Sequence, residues 1–258
     1  MPARHSITAL YRLHRAFTTP SEPNWKEIRA AILAGANPNA PSVRRAGQTL
    51  LTCLLTQRKV SPTRIRWLLE VGTDPNVCDM NVNSDSPLMI AVLREQPTIV
   101  VACLLDHGAD PNIRNRNGWG PLAYAVWHAG RSTATVALLL ASGADPNART
   151  AAGQTVLSLA AACPALTDPV DLFGVLLAAG ANPSLADSAG RTAPEIFADM
   201  GRHDLLMALD TALTQHASPA ARCRLLNQLT DHQQKTWLPR SCVVTVAAET
   251  VKTWERKP

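Results

Sequence analysis

Aromatic side chains are scarce here: six Trp, two Tyr and three Phe make up 4% of 258 residues. A β-sandwich draws its core from aromatic and β-branched residues, so this poverty weighs against one. Hydrophobic residues still reach 46%, with Ala and Leu prominent. That composition suits closely packed helices in one domain or two. Cysteine pairs are missing as well. Cys53, Cys78, Cys103, Cys163, Cys223 and Cys242 are scattered with no C-x-x-C, and several lie in apolar runs. They read as reduced, buried thiols of an intracellular protein and not as a disulfide framework. No uncharged run approaches the about 18 apolar residues of a membrane span. The N-terminus lacks the continuous apolar segment of a signal peptide. Residues 1–21 contain Arg4, Arg12 and Arg15 and no acid, which loosely resembles a mitochondrial presequence. A basic amphipathic first helix is the simpler reading.

Catalytic signatures are absent too. There is no H-E-x-x-H, no P-loop, no G-x-S-x-G, and no G-x-G-x-x-G after a strand. The histidines (His5, His14, His107, His128, His203, His216 and His232) do not fall at metal-ligand spacing. His107 closes an apolar helical run, where its ring suits the negative end of the helix dipole. The acids Asp74, Asp110 and Asp145 occupy turn positions with a local hydrogen-bonding role. The expectation is a non-catalytic chain with no cofactor and no metal.

Charge is unevenly spread. Residues 1–66 carry 11 basic and 2 acidic side chains, residues 67–213 carry 7 and 15, and residues 214–258 carry 7 and 3. The chain is therefore basic at both ends and acidic in the middle. In an elongated fold this becomes an electrical gradient.

What the sequence does contain is a repeat. "ILAGANPN", "LLEVGTDPN", "LLDHGADPN", "LLASGADPN" and "LLAAGANPS" place Gly35, Gly72, Gly108, Gly143 and Gly180 at spacings of 37, 36, 35 and 37. A second landmark keeps the same beat: "QTLLTCLL", "DSPLMIAVL", "WGPLAYAVW", "QTVLSLAAA" and "RTAPEIFADM". Gly after an apolar run adopts the left-handed conformation that ends a helix. Asp or Asn with Pro then makes a tight turn. Thr49, Ser86, Thr155 and Thr192 are suited to cap the next helix, and Pro87 and Pro121 to its first turn. Ala91, Ala125 and Ala160 let paired helices approach. Each unit reads as turn, helix, loop, helix, and its apolar triplet ("WLL", "CLL", "LLL", "VLL") is buried only by stacking on neighbours.

With these landmarks the sequence resembles the ankyrin-repeat family over residues 6–213. Residues 118–147 follow the family pattern closely, with Gly118, Pro121, Leu122, Ala125, Leu138–Leu140, Gly143, Ala144, Asp145 and Asn147. The resemblance implies an all-α ankyrin-repeat solenoid of stacked helix-turn-helix units joined by β-hairpin-like loops, with a non-repeat C-terminal cap. An opening unit is expected over 6–39, repeats over 40–190, a closing unit over 191–213 and a helical extension over 214–258. Departures from the pattern carry expectations of their own. Thr52, Met89, Ala123 and Ser158 stand where the family has His, which implies weaker polar interlocking between repeats. Thr73 replaces an Ala, and Pro194 is displaced. Repeats of 35–37 residues exceed the usual 33, and "RKVSPT" and "CPALTDPVD" are the expected long inter-helix loops.

The resemblance implies protein binding through a concave face built from loop tips and first helices. By position that face takes Arg45, Gln48, Thr56 and Gln57, then Asp85, Leu93 and Arg94. The central repeat gives Arg116, Asn117, Trp119, Trp127 and His128, followed by Gln154, Ala162 and Cys163, and finally Arg191, Asp199 and Met200. Two Trp beside Arg and His make the central repeat the expected hot spot. Trp25 and Trp67, on second helices, are expected in the core.

The expected partner is another protein, met by a cytoplasmic monomer with no membrane association. A bacterial regulator, an immunity protein or a host-directed effector fits the format. Two other readings stand beside it. "ARCRLLNQL" with "WLPRSC" faintly resembles a SOCS box, and residues 214–258 would then be an adaptor box of SOCS or F-box-like type that recruits a second protein, and not a cap. Arg44, Arg45, Arg58, Lys59, Arg64 and Arg66 form a basic first third that a nucleic acid would seek. That reading is disfavoured because most aromatics lie in the acidic middle.

Overall fold

A computed structural model of the chain describes residues 13, 16, 24–42, 47–58, 60–80, 83–127, 133–163 and 169–216. Among these, the secondary structure is helical: α1 (Trp25–Leu33), α2 (Leu50–Leu55), α3 (Pro62–Glu70), α4 (Pro87–Leu93), α5 (Thr98–Asp106), α6 (Pro121–Trp127), α7 (Thr133–Ala141), α8 (Val156–Leu159, continued by a 3₁₀ turn Ala160–Ala162), α9 (Pro169–Ala178), α10 (Ala193–Asp199) and α11 (His203–His216). Extended pairing is limited to isolated bridges, Ser42 with Gln48 and Arg149 with Thr155. The described residues adopt the all-α repeat architecture expected from the sequence, and the expected C-terminal extension over 214–258 lies almost wholly outside them. Contacts divide it into two compact units, one of residues 1–125 with 142–144, the other of 126–141 with 145–258.

The repeat signals act as their chemistry dictates. Thr49 accepts from the Thr52 amide while the Thr52 hydroxyl takes the Thr49 amide, a reciprocal cap at the start of α2. Ser86 caps the Met89 amide and Thr155 the Ser158 amide. Each cap satisfies a helix N–H that would otherwise be buried without a partner. At the other end, Gly108 takes φ +85°, and the amides of Gly108 and Ala109 return to the carbonyls of Leu105 and Leu104. That geometry closes the helix and turns the chain out of it.

First helices are the more deeply buried. Every residue of α2 is buried, and so is all of α4 up to Val92. Second helices bury one stripe: Ile65, Leu68 and Leu69 on α3, and Val100, Val101, Cys103 and Leu104 on α5. In the second unit Phe173 and Phe197 stack with centroids 5.8 Å apart, both fully buried. Cys53, Cys78, Cys103 and Cys163 are not disulfide-bonded, and Cys78 is only half-buried.

Three expectations need correction. First, the added repeat length is not confined to inter-helix loops. The hairpins that close with Ser42 N–H to Gln48 O and Asp79 N–H to Asp85 O are longer than those closed by Asn115 with Trp119, Thr150 with Gln154 and Asp187 with Arg191. Second, apolar packing is not the sole link where the His is missing, because other polar side chains bond from one repeat to the next. Asn39 Nδ2 donates to the Gly72 carbonyl and Asn39 Oδ1 accepts from the Asp74 amide. Asn76 does the same to Gly108 and Asp110, and Asn147 to Gly180 and Asn182. Gln96 Nε2 caps the carbonyls of Leu55 and Gln57 at the end of α2, and Arg202 Nη1 caps those of Ala161 and Cys163. Third, Trp25 and Trp67 are half-buried and lie outside the core, because each indole rests on the other instead of entering the helix seam.

Candidate functional site

The hairpins are where side chains are left over after the scaffold is built. Each begins with a short polar residue at one repeat phase: Ser42, Asp79, Asn115, Thr150 and Asp187. In the Asn115 hairpin, Asn115 Oδ1 accepts from the amides of Asn117 and Trp119 at 3.0 and 2.9 Å. Asn115 Nδ2 donates to Asp85 Oδ1 at 2.7 Å and lies 3.1 Å from the Tyr124 hydroxyl. The Tyr124 hydroxyl itself donates to Asp85 Oδ1 at 3.2 Å. A triad of buried Asn115 and Asp85 with half-buried Tyr124 thus ties the hairpin to the approach to α4 and to α6. Burial first, and then the Asp85 charge, push the Tyr124 phenol up to about 12, so it stays a donor.

Trp119 stands on this triad. Its indole is half-buried and tilted against the Tyr124 ring, with centroids 5.1 Å apart and planes at 44°. Arg116 and Asn117 are exposed at the tip beside it. The tip is braced by the preceding hairpin, where the Asn83 carbonyl takes the Arg116 amide and Asn83 Oδ1 lies 3.5 Å from Asn117 Nδ2. An aromatic surface fixed by its own scaffold loses little conformational freedom on binding.

The remaining expected residues divide. Gln48 is half-buried, with Nε2 3.4 Å from Asp79 Oδ2. Arg94 is exposed just past α4. Asp85 is corrected: it is 4% exposed and its carboxylate serves Asn115 and Tyr124, so it supports the site from beneath. In the second unit Trp127 is half-buried at the end of α6, and Gln154 is half-buried where its hairpin closes. Arg191 is exposed and pairs with Asp187 at 3.2 Å. Cys163 is buried, whereas Asp199 and Met200 are exposed. Arg45, His128 and the residues of the suggested C-terminal box lie outside the described residues.

Asn115 and Tyr124 were missed from sequence. For Asn115 a signal existed, since positions 42, 79, 115, 150 and 187 repeat at the same 37, 36, 35 and 37 as the glycines. Tyr124 offered none, because nothing in "PLAYA" marks the residue between two alanines as a support.

His107 stands just past α5, with Nδ1 2.8 Å from the Cys103 carbonyl. Among the described residues no group of His, Cys, Asp and Glu is arranged to hold a metal, and no helix is long and apolar enough to cross a membrane.

Residues 53–150 match the family described as ankyrin repeats in three copies. An ankyrin-repeat domain from Acinetobacter baumannii superposes with a TM-score of 0.65 at 26% identity, covering 81% of this chain and 99% of that one. A stretch of 91 residues is 35% identical to part of the 2-5A-dependent ribonuclease of Mus musculus, covering 35% of this chain and only 12% of that protein. Residues 53–150 are thus ankyrin repeats, and the described residues have the fold of an ankyrin-repeat domain. The class generally mediates protein–protein interaction and is typically non-catalytic.

Proposed function

We propose that this chain is a non-catalytic binding protein that grips a partner protein through the hairpin tip of its central repeat, with Trp119 as the anchor. The observation that carries the reading is the mounting of Trp119: an indole half-exposed beside Arg116 and Asn117, fixed from below by Asn115 and Tyr124. Half-exposed Trp beside Arg is the composition of interface hot spots. Arg94 and Gln48 extend the same hairpin and first-helix side within the first unit, and Trp127, Gln154 and Arg191 hold the corresponding positions in the second. The protein acts as a cytoplasmic monomer, in the manner of a regulator, an immunity protein or a host-directed effector. Affinity purification with mass spectrometry, run on wild type and on R116A/N117A, tests the placement. A protein recovered by wild type and lost by the variant supports it. Identical recoveries contradict it.

A further inference from the structure

The two tryptophans that left the core form a second feature, on the second helices of the first unit. Trp25 on α1 and Trp67 on α3 meet edge to face, with centroids 5.4 Å apart and planes at 78°. Each helix also sends an arginine onto the other helix's indole. The Arg29 guanidinium carbon lies 5.6 Å from the centre of the Trp67 ring, and that of Arg64 lies 5.4 Å from the centre of the Trp25 ring. The arrangement is reciprocal and sits at the surface: both indoles and Arg64 are half-buried, and Arg29 is exposed. Neither guanidinium meets a carboxylate among the described residues. Lys26 and Arg66 are exposed on the same two helices, against Glu27 and Glu70.

We infer that this Arg–Trp cluster is a docking surface for an acidic, carboxylate-rich segment of a partner protein, separate from the Trp119 surface and independent of its role. Each guanidinium is held near an indole by cation–π attraction, and a guanidinium so held keeps planar N–H donors that can take a carboxylate through two bonds. The strongly basic first 66 residues, 11 basic against 2 acidic, add long-range attraction for such a segment. Single-stranded nucleic acid fits less well. It needs parallel aromatic platforms for successive bases. These indoles stand nearly perpendicular, and each already carries a guanidinium.

The test uses the full chain and three fluorescein-labelled probes: an Asp/Glu-rich dodecapeptide, its Asn/Gln counterpart, and an oligothymidylate of equal charge. Fluorescence anisotropy is read for wild type, R29Q/R64Q and R29K/R64K, with the fold of each checked by its melting curve. The Lys variant keeps the charge and loses the planar fork. It therefore carries the test even if the Gln variant folds poorly. We expect the acidic peptide to bind wild type best and to bind R29K/R64K about tenfold more weakly. Equal binding by R29K/R64K would reduce the cluster to bulk charge and overturn the inference. Tighter binding of the oligothymidylate would overturn it in favour of nucleic acid. A concentration-dependent dimer in sedimentation, abolished in R29K/R64K, would overturn it in favour of a second copy of this chain.

Discussion

Asp79 and Asp187 occupy the same position in two hairpins and titrate in opposite directions. Asp187 starts a short hairpin, so the amides of Ala189 and Arg191 reach its Oδ1 at 2.8 and 2.9 Å. The Arg191 amide foremost, then Ala189 and the Arg191 guanidinium, hold its carboxyl below the usual range. Asp79 starts a longer hairpin and is 1% exposed, with Gln48 Nε2 distant at 3.4 Å. Burial pushes its carboxyl up. The signs follow from linkage. Asp187 contributes stability above the ordinary aspartate pKa of about 4, and that contribution is lost as pH falls through its lowered value. Asp79 favours the fold below about 4, and loses that advantage as pH rises through its raised value. Chemical denaturation of Asp79→Asn and Asp187→Asn between acid and neutral pH checks this. Relative to wild type, the first variant should gain stability as pH rises and the second should lose it. Parallel curves would contradict the assignment. None of this was legible in the sequence, because both residues read as turn aspartates and the burial of Asp79 is set by the three-dimensional packing around it.

At the scale of elements, the helices and their ends were readable because each signal acts locally. A Thr or Ser before an apolar run caps it, and a Gly after one ends it, whatever lies further away. What escaped were features that depend on a neighbouring repeat. The Asn39, Asn76 and Asn147 bridges, and the reach of Gln96 and Arg202, use residues that look like ordinary turn residues in one dimension. Trp25 and Trp67 were assigned to the core because helical spacing cannot tell a stripe that packs inward from one that packs along the surface. Two glycines of the second unit separate local from inter-repeat demands. Gly180 has φ +93° and open space where a Cβ would stand. Gly180→Ala should therefore cost about 1 kcal/mol, the price of the left-handed backbone alone. Gly153 has φ +76°, and a Cβ there would lie 2.7 Å from the Ser188 amide nitrogen on the next hairpin. Gly153→Ala adds a backbone clash and should cost more than about 2 kcal/mol. Equal losses in denaturant unfolding would mean that the hairpins do not brace one another.

For the molecule as a whole, the repeat fold followed from the beat of five glycines, and the proposed binding role from the resemblance to ankyrin repeats. Of the proposed binding site, Arg116, Asn117 and Trp119 could be named from their position in the repeat, whereas the support beneath Trp119 required three dimensions. Asp85 shows why: a charged residue at a hairpin end looks available in sequence, yet it is taken up by Asn115 and Tyr124. Charge asymmetry, with 11 basic against 2 acidic residues in positions 1–66 and 7 against 15 in 67–213, predicts steered association. Raising ionic strength should slow the on-rate for the captured partner, with a smaller effect on the off-rate. A salt-independent on-rate would argue against steering. The central claim is that Trp119 is mounted for a partner and not for the fold. Its most direct test is the affinity of the captured partner for Trp119→Ala, measured by calorimetry alongside the melting curve of the variant. Loss of Trp119 should weaken binding at least about tenfold, or about 1.4 kcal/mol, while the melting temperature falls by no more than about 4 °C. Unchanged affinity with a collapsed melting temperature would show that the indole serves the scaffold.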